Sequence, residues 1–370
     1  MMADRDAAIV FDNVSKVFPD GTAAVDRLNL AVPRGRLTVF VGSSGSGKTT
    51  ALRMINRMVE PTSGTITVDG ADVSTVNPVT LRLGIGYVIQ SAGLMPHQRV
   101  IDNVATVPVL KGQSRRAARK AAYEVLERVG LDPKLATRYP AQLSGGEQQR
   151  VGVARALAAD PPILLMDEAF SAVDPVVRNE LQNEMLRLQS ELHKTIVFVT
   201  HDIDEALKLA DGVAVFKGGM LQQYDTPAEL LSRPANDFVA RFIGLGRGYR
   251  WLQLLDATGL PLHDLRRIPE NRPPDAGLTD GWALIVDSAG APVGWIDAEG
   301  LRRCRGGGSL ADNMSAVGSL FPPRGNLSQA LDAALSSPSG VGVAVDDGGS
   351  VIGGVLPADV FAAADARRRG

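Results

Sequence analysis

The sequence predicts an α/β protein: a parallel sheet with helical crossovers, followed by a smaller α+β unit. Three observations carry that expectation. Short, continuous apolar runs alternate with helical patterns upstream of residue 245. A glycine-rich phosphate loop sits where one such run gives way to a helix. Near residue 245 the composition shifts: all eight lysines lie at or before Lys217, and all three tryptophans, Trp251, Trp282 and Trp295, lie beyond it. The segment "GLGRGYR" (Gly244–Arg250) holds three glycines and reads as a connector, so domains are expected at 1–245 and 246–370.

At 370 residues the chain has room for two or three domains. Its 45% hydrophobic and 22% charged content is that of a folded soluble protein. A formal net charge of −2 argues against nonspecific nucleic-acid binding. The single cysteine, Cys304, cannot form an internal disulfide, which favours a reducing compartment. Asp4, Arg5 and Asp6 interrupt the N-terminus, which has no signal-peptide core, and no run approaches 18 apolar residues. Any membrane role is therefore expected through partners.

Taken in order, "LTVFV" (Leu37–Val41) reads as a buried strand, with a helix expected from about Lys48 to Met58. "ILLMD" (Ile163–Asp167) and "TIVFVT" (Thr195–Thr200) read as further strands. Between them Val177, Leu181, Met185, Leu188 and Leu192 recur at spacings of 4, 4, 3 and 4, one face of a crossover helix. In the tail, "IVDSAGAPVGWIDAEGL" (Ile285–Leu301) aligns with "AVDDGGSVIGGVLPADV" (Ala344–Val360) at an offset of 59. Each copy reads strand, acidic-glycine turn, strand and helix start. A helix at Leu327–Ser337 precedes the second copy, whereas Pro273-Pro274 removes or moves its counterpart before the first.

Gly42, Gly47, Lys48 and Thr49 satisfy G-x-x-x-x-G-K-[ST] in the strand–loop–helix context that this motif requires. Across Gly42, Ser43, Ser44, Gly45, Ser46, Gly47, Lys48, Thr49 and Thr50, backbone amides can wrap phosphates. Lys48 supplies a compact charge and the Thr49 hydroxyl can reach Mg²⁺. Asp167 ends an apolar strand, where a carboxylate is costly unless it serves an ion or a water. Glu168 follows it, placed to orient or deprotonate an attacking water. His201, after the strand ending at Thr200, reads equally well as structural or catalytic. A second phosphate-type feature is "LSGGEQQR" (Leu143–Arg150), where Ser144 and Glu147 form a capping box and Gly145 and Gly146 leave a helix start open to an anion.

With these motifs in this order, the chain from about Ile9 to Phe242 resembles the ATP-binding subunits of ABC transporters. The resemblance implies a parallel-sheet core, a small antiparallel β subdomain and a helical subdomain, with ATP and Mg²⁺ as cofactors. It implies that Gln90 in "YVIQS" touches Mg²⁺ together with Thr49 and Asp167, and senses a transmembrane partner through Gln90–Val104. Asp174 in "SAVD" matches the D-loop, His201 the switch histidine and Phe18 the aromatic that stacks on adenine. Ser144, Gly145, Gly146 and Gln148 are then the signature that meets the γ-phosphate bound by a second copy of the chain. Ala169 stands where the family commonly has proline, and no catalytic atom is lost by that change.

"INRMVEPTSG" (Ile55–Gly64), "QSAGLMPHQRVIDNV" (Gln90–Val104) and "EAFSAVDP" (Glu168–Pro175) look most like uptake systems for glycine betaine, proline betaine, choline or carnitine. The 59-residue repeat is similar to the tandem CBS modules that end many such subunits. Those modules hold ribose through a Thr/Ser-x-x-Asp turn, which neither copy keeps intact: Asp297 and Gly300 stand in the first, Leu356 and Asp359 in the second. The resemblance places the chain on the cytoplasmic face of the membrane, with permease subunits, an extracytoplasmic solute-binding protein and no nucleic acid as partners. Another small solute, such as an amino acid or sulfonate, and a soluble non-transport ABC ATPase acting on nucleic acid or ribosomes are the alternative readings. The tryptophans read as core rather than a cation cage, and Arg115, Arg116, Arg119 and Lys120 as a solvated helix face.

Overall fold

The computed structural model describes residues 6–369 apart from 91, 172, 245, 272–277 and 279. The chain forms two units, Met1–Gly244 and Leu245–Gly370. In the first, β1 (Ala7–Val17) and β2 (Ala23–Pro33) make an antiparallel hairpin. Next comes β3 (Leu37–Gly42), buried at every position as a central strand must be, and then α1 (Lys48–Ile55).

This helix stops three residues before the expected Met58. Arg57 takes a left-handed conformation, φ 54°. Its N–H donates to Met54 O at 3.2 Å while Met58 N–H donates to Arg53 O at 2.9 Å, the bond pair of a Schellman stop. The Arg57 guanidinium holds the turn by donating to the carbonyls of Val73, Ser74 and Val76. Beyond it β4 (Ser63–Val68) and β5 (Ala71–Asp72) complete an antiparallel sheet of order β2-β1-β4-β5.

The chain continues through α2 (Pro78–Leu83) and β6 (Ile85–Val88) into a helical region of α3 (Val100–Leu110), α4 (Arg115–Arg128) and α5 (Gly145–Leu157). It returns as β7 (Ile163–Asp167), α6 (Pro175–Leu192), β8 (Thr195–Thr200) and α7 (Ile203–Leu209). The unit closes with β9 (Gly212–Lys217), β10 (Met220–Asp225), α8 (Pro227–Ser232) and α9 (Asp237–Ile243). The main sheet runs β10-β9-β3-β8-β7-β6, parallel except for the β9–β10 pair. On α6, Leu181, Met185 and Leu188 are buried, while Val177 and Leu192 at the ends of the stripe are half-buried. Phe40 on β3 links the two sheets, since its ring meets Phe11 of β1 and Phe216 of β9.

The second unit opens with α10 (Arg247–Leu254) and then repeats a small fold. β11 (Arg267–Pro269), β12 (Trp282–Val286), β13 (Pro292–Asp297) and α11 (Ala298–Arg305) form the first copy. The second consists of β14 (Leu320–Phe321), α12 (Leu327–Ser336), β15 (Gly342–Val345), β16 (Val351–Val355) and α13 (Pro357–Arg369). Each sheet has a parallel first pair and an antiparallel second pair. The acidic-glycine turns match atom for atom. Asp287 Oδ1 accepts from Ala291 N and Asp346 Oδ1 from Ser350 N, both at 2.9 Å. Gly290 and Gly349 share φ 82°. Pro273-Pro274 lies outside the described residues, and among those described no helix separates β11 from β12. Trp295 is a buried core residue, with Trp282 packed against the same cluster. Among the described residues no helix is long and apolar enough to cross a membrane.

Candidate nucleotide site

The ends of β3, β7 and β8 put three functional segments side by side, because these strands are neighbours in the parallel sheet. Loops at the carboxyl ends of parallel strands are where ligands bind in such sheets. Between β3 and α1, Ser43, Ser44 and Gly45 form an exposed crest, while Ser46 and Lys48 are buried and Thr49 and Thr50 half-buried. Gly47 has φ 98°, and a Cβ there would lie 2.1 Å from Ala24 O, so only glycine can bring the loop this close to β2.

Lys48 Nζ donates back into its own loop, to Gly42 O and Ser43 O at 2.8 Å and to Ser46 Oγ at 3.3 Å. Burial lowers its affinity for a proton, opposed by the carboxylates of Glu168 and Asp167. The ammonium is thus held over the loop by neutral acceptors that a phosphate can replace.

Asp167, at the end of β7, is 5% exposed. Its Oδ1 accepts from Thr49 Oγ1 at 2.9 Å, and its Oδ2 lies 3.3 Å from Arg53 and 3.4 Å from the Tyr87 hydroxyl. Glu168 is left-handed, φ 46°, and its N–H donates to Val199 O, which turns the side chain away from the core. The exposed Gln90 donates to Glu168 Oε2 and Ser171 Oγ, each at 3.2 Å. On the other side His201 Nδ1 stands 3.5 Å from Glu168 Oε1. Glu168 therefore sits between Gln90 and His201, and Asp167 faces Thr49. Oxygen donors from Thr49, Asp167 and Gln90 suit Mg²⁺, which is held by one or two carboxylates plus phosphate and water.

Other expected residues lie apart from this cluster. Phe18 is half-buried in the β1–β2 turn under the Lys16 ammonium, 5.3 Å from the ring centre. Asp174 caps α6, accepting from Val176 N and Val177 N at 3.1 Å. Ser144 and Glu147 form the expected capping box, with bonds of 3.3 and 2.7 Å, leaving Ser144 and Gly145 exposed and Gly146 buried. Gln148 donates to Leu143 O. Among the described residues no hydrogen bond or ion pair joins residues 143–148 to residues 42–50. Arg53, Tyr87 and Ser171 were not expected at the site. Arg53 could have been found from its i+4 spacing to Thr49 on one helix face; Tyr87 depends on the register of β6 against β7.

Phosphate loop, strand-end carboxylate and an adjacent glutamate in this geometry define a nucleotide-hydrolysing P-loop cassette. The family profile described as ABC transporter matches residues 25–171. The chain is 41% identical over 311 residues, 80% of each protein, to the choline transport ATP-binding protein OpuBA of Bacillus subtilis (strain 168). It is 42% identical to the osmoprotectant import ATP-binding protein OsmV of Salmonella typhimurium, over 80% of this chain and 81% of that one. With the glycine betaine uptake system ATP-binding protein YehX of Escherichia coli (strain K12) it shares 47% identity, over 75% of this chain and 90% of that one. Among solved structures, the dimeric post-hydrolysis state of the ATP-binding cassette MJ0796 bound to ADP and Pi superposes with a TM-score of 0.55 at 32% identity, covering 59% of this chain and 98% of that one. The chain belongs to the family of ABC transporter ATP-binding subunits, and is a nucleotide-binding ATP hydrolase.

Proposed function

We propose that this chain hydrolyses ATP to drive import of a quaternary ammonium osmolyte, such as glycine betaine, choline, proline betaine or carnitine, through a membrane permease. The observation that carries this reading is its 41–47% identity to subunits named for choline, osmoprotectant and glycine betaine transport. The chain would work as a peripheral protein on the cytoplasmic face, held by permease subunits that a solute-binding protein supplies from outside.

Gly42 to Thr50 cradle the phosphates, and Lys48 exchanges its loop carbonyls for phosphate oxygens. Phe18 takes the adenine face. Thr49, Asp167 and Gln90 hold Mg²⁺, which neutralises phosphate charge. Glu168 aligns the attacking water and accepts its proton, while His201 and Asp174 complete the γ-phosphate side. Gly145 and Gly146 leave amide donors at the start of α5, where the helix dipole favours an anion. Among the described residues no hydrogen bond or ion pair joins that helix start to the Lys48 loop within one chain, which is in keeping with a sandwich in which α5 serves the nucleotide of a second copy.

A groove of about 400 Å³ lined by His97, Arg99, Asp102, Arg115, Arg119 and Tyr139 supports permease docking next to the Gln90 segment. Arg119 is exposed, as are Arg115, Arg116 and Lys120 on the same helix, and it pairs with Asp102 at 2.6 Å at the edge of that groove. Residues 246–370 are read as a CBS-like pair that sets dimer geometry. Asp297 is committed to Gly300 N at 2.7 Å, and Asp359 to Leu356 N and His263 at 3.1 and 2.9 Å, which favours structure over ribose binding.

Uptake of labelled glycine betaine tests the reading, in cells lacking the transporter genes and restored with or without this chain. Accumulation should require the chain and be lost in Lys48→Ala. Equal uptake without the chain, or uptake of amino acids alone, would remove the osmolyte assignment.

A further inference from the structure

Asp167 is buried at the end of β7, and its two carboxylate oxygens are served by different parts of the chain. Oδ1 accepts from Thr49 Oγ1 at 2.9 Å. Oδ2 accepts from Arg53 Nη2 at 3.3 Å and from the Tyr87 hydroxyl at 3.4 Å. A buried carboxylate is costly unless its oxygens have partners, and here three side chains supply them. Thr49 belongs to the phosphate loop, whereas Arg53 and Tyr87 lie outside it.

The fold brings both of the outer two to one oxygen. Thr49 and Arg53 are four residues apart on α1, neighbours on one helix face. Tyr87 lies beside Leu165 where β6 runs parallel to β7. Leu165 and Asp167 are two residues apart on that strand, so Tyr87, Leu165 and Asp167 share one face of the sheet. The Tyr87 ring packs against the core cluster that contains Leu52, Ile55 and Leu165, which fixes the direction of its hydroxyl. Arg53 lies at the surface, with 48% of its side chain exposed, and its guanidinium reaches inward to form an ion pair with Asp167.

We propose that Arg53 and Tyr87 are positioning residues for the metal: by holding Oδ2 they fix the rotation of the Asp167 carboxylate, so that Oδ1, on the Thr49 side, serves Mg²⁺. The inference rests on the reading above in which Thr49, Asp167 and Gln90 hold the ion. Each of the two side chains acts through Asp167. Without them the carboxylate turns about its Cβ–Cγ bond, and ordering it again when the ion binds costs affinity. Partners that orient a metal ligand change metal affinity about tenfold or more when they are lost. The Lys48 loop, which carries nucleotide binding, does not depend on them.

The test is a Mn²⁺ titration of the full chain followed by electron paramagnetic resonance, with protein in excess over adenylyl imidodiphosphate so that all the nucleotide is bound. Tyr87→Phe removes only the hydroxyl and keeps the ring in the core; Arg53→Met keeps an apolar stem and removes the guanidinium. Each should weaken Mn²⁺ binding about tenfold, while affinity for the nucleotide in excess chelator stays as in wild type. Folded variants, judged by thermal melting, that bind Mn²⁺ as tightly as wild type would overturn the proposal, because a merely structural role lowers stability and leaves metal affinity alone. An equal loss of nucleotide affinity in chelator would overturn it too. If Arg53→Met does not fold, Tyr87→Phe carries the comparison by itself. Thr49→Val separates the proposal from the reading beneath it. If Thr49→Val weakens Mn²⁺ binding and the Arg53 and Tyr87 variants do not, the positioning role alone fails. If Thr49→Val also leaves Mn²⁺ binding unchanged, the ion does not sit between Thr49 and Asp167, and both fail.

Discussion

At the scale of single residues, Glu168 and Glu205 show how placement decides what a carboxylate does. Glu168 sits between Gln90 and His201 beside Asp167. Glu168→Gln keeps the shape and the Gln90 contact but cannot take a proton, so hydrolysis should fall about a hundredfold or more, on the order of 3 kcal/mol in the barrier. ATP should still bind, and the nucleotide-bound dimer should accumulate on gel filtration; near-normal turnover would sink the role given to Glu168. Glu205 on α7 is buried, accepts from Gln182 Nε2 at 3.0 Å, and has its proton affinity raised, chiefly by burial. A carboxyl that holds its proton more tightly folded than unfolded takes up protons on folding, so its contribution to stability falls as pH rises. The fall begins near the ordinary value of 4.5 and ends above the raised folded value. Glu205→Gln removes that titration. Relative to wild type it should gain stability with rising pH from about 4.5 upward, checked by denaturant midpoints at several pH values. Identical pH slopes in the two proteins would contradict it.

At the scale of elements, the contact between α5 and α6 is the tightest test of the packing. A Cβ on Gly146 would lie 2.6 Å from Val177 Cγ1, and a β-branched side chain in a helix has little rotamer freedom to retreat. Gly146→Ala should therefore cost about 1–3 kcal/mol by overpacking, and Val177→Ala in the same chain should restore most of it; an unshifted melting temperature in the single variant would refute the contact. Which elements could be read from sequence follows from the same physics. β7 and β8 begin and end as expected because strands covered on both faces read as unbroken apolar runs. The end of α1 could not be read, because its left-handed stop falls on Arg57 rather than on glycine and is secured by carbonyls sixteen or more residues away. The motifs of the site were legible in order and type, and so was the capping box of Ser144. Illegible were Arg53 and Tyr87 on Asp167 and the retreat of Lys48 into its own carbonyls. Each depends on strand register or on a long side chain's direction, which local pattern does not encode.

At the scale of the whole molecule, the proposed sandwich makes a prediction that no single-chain site can imitate. Each chain carries one Lys48 loop and one Ser144 helix start, with no bond joining them among the described residues. Lys48→Ala removes the charge that holds phosphate, whereas Ser144→Arg puts a bulky cation where the exposed helix start must face a partner's nucleotide. Each variant alone should be inactive, but Ser144→Arg should still bind ATP through its intact loop. In a mixed pair, one site receives both lesions and the other receives Lys48 from one chain and Ser144 from its partner, so it is whole. Equal mixing makes half the pairs mixed and leaves about a quarter of all sites intact, for random association of a two-fold dimer. Hydrolysis should therefore reappear on mixing two dead proteins, and rise with the square of concentration while association is limiting. A mixture no more active than its components would mean that the two halves of the site are not shared between copies. If Ser144→Arg lost ATP binding as well, the helix start would have to serve the nucleotide of its own chain.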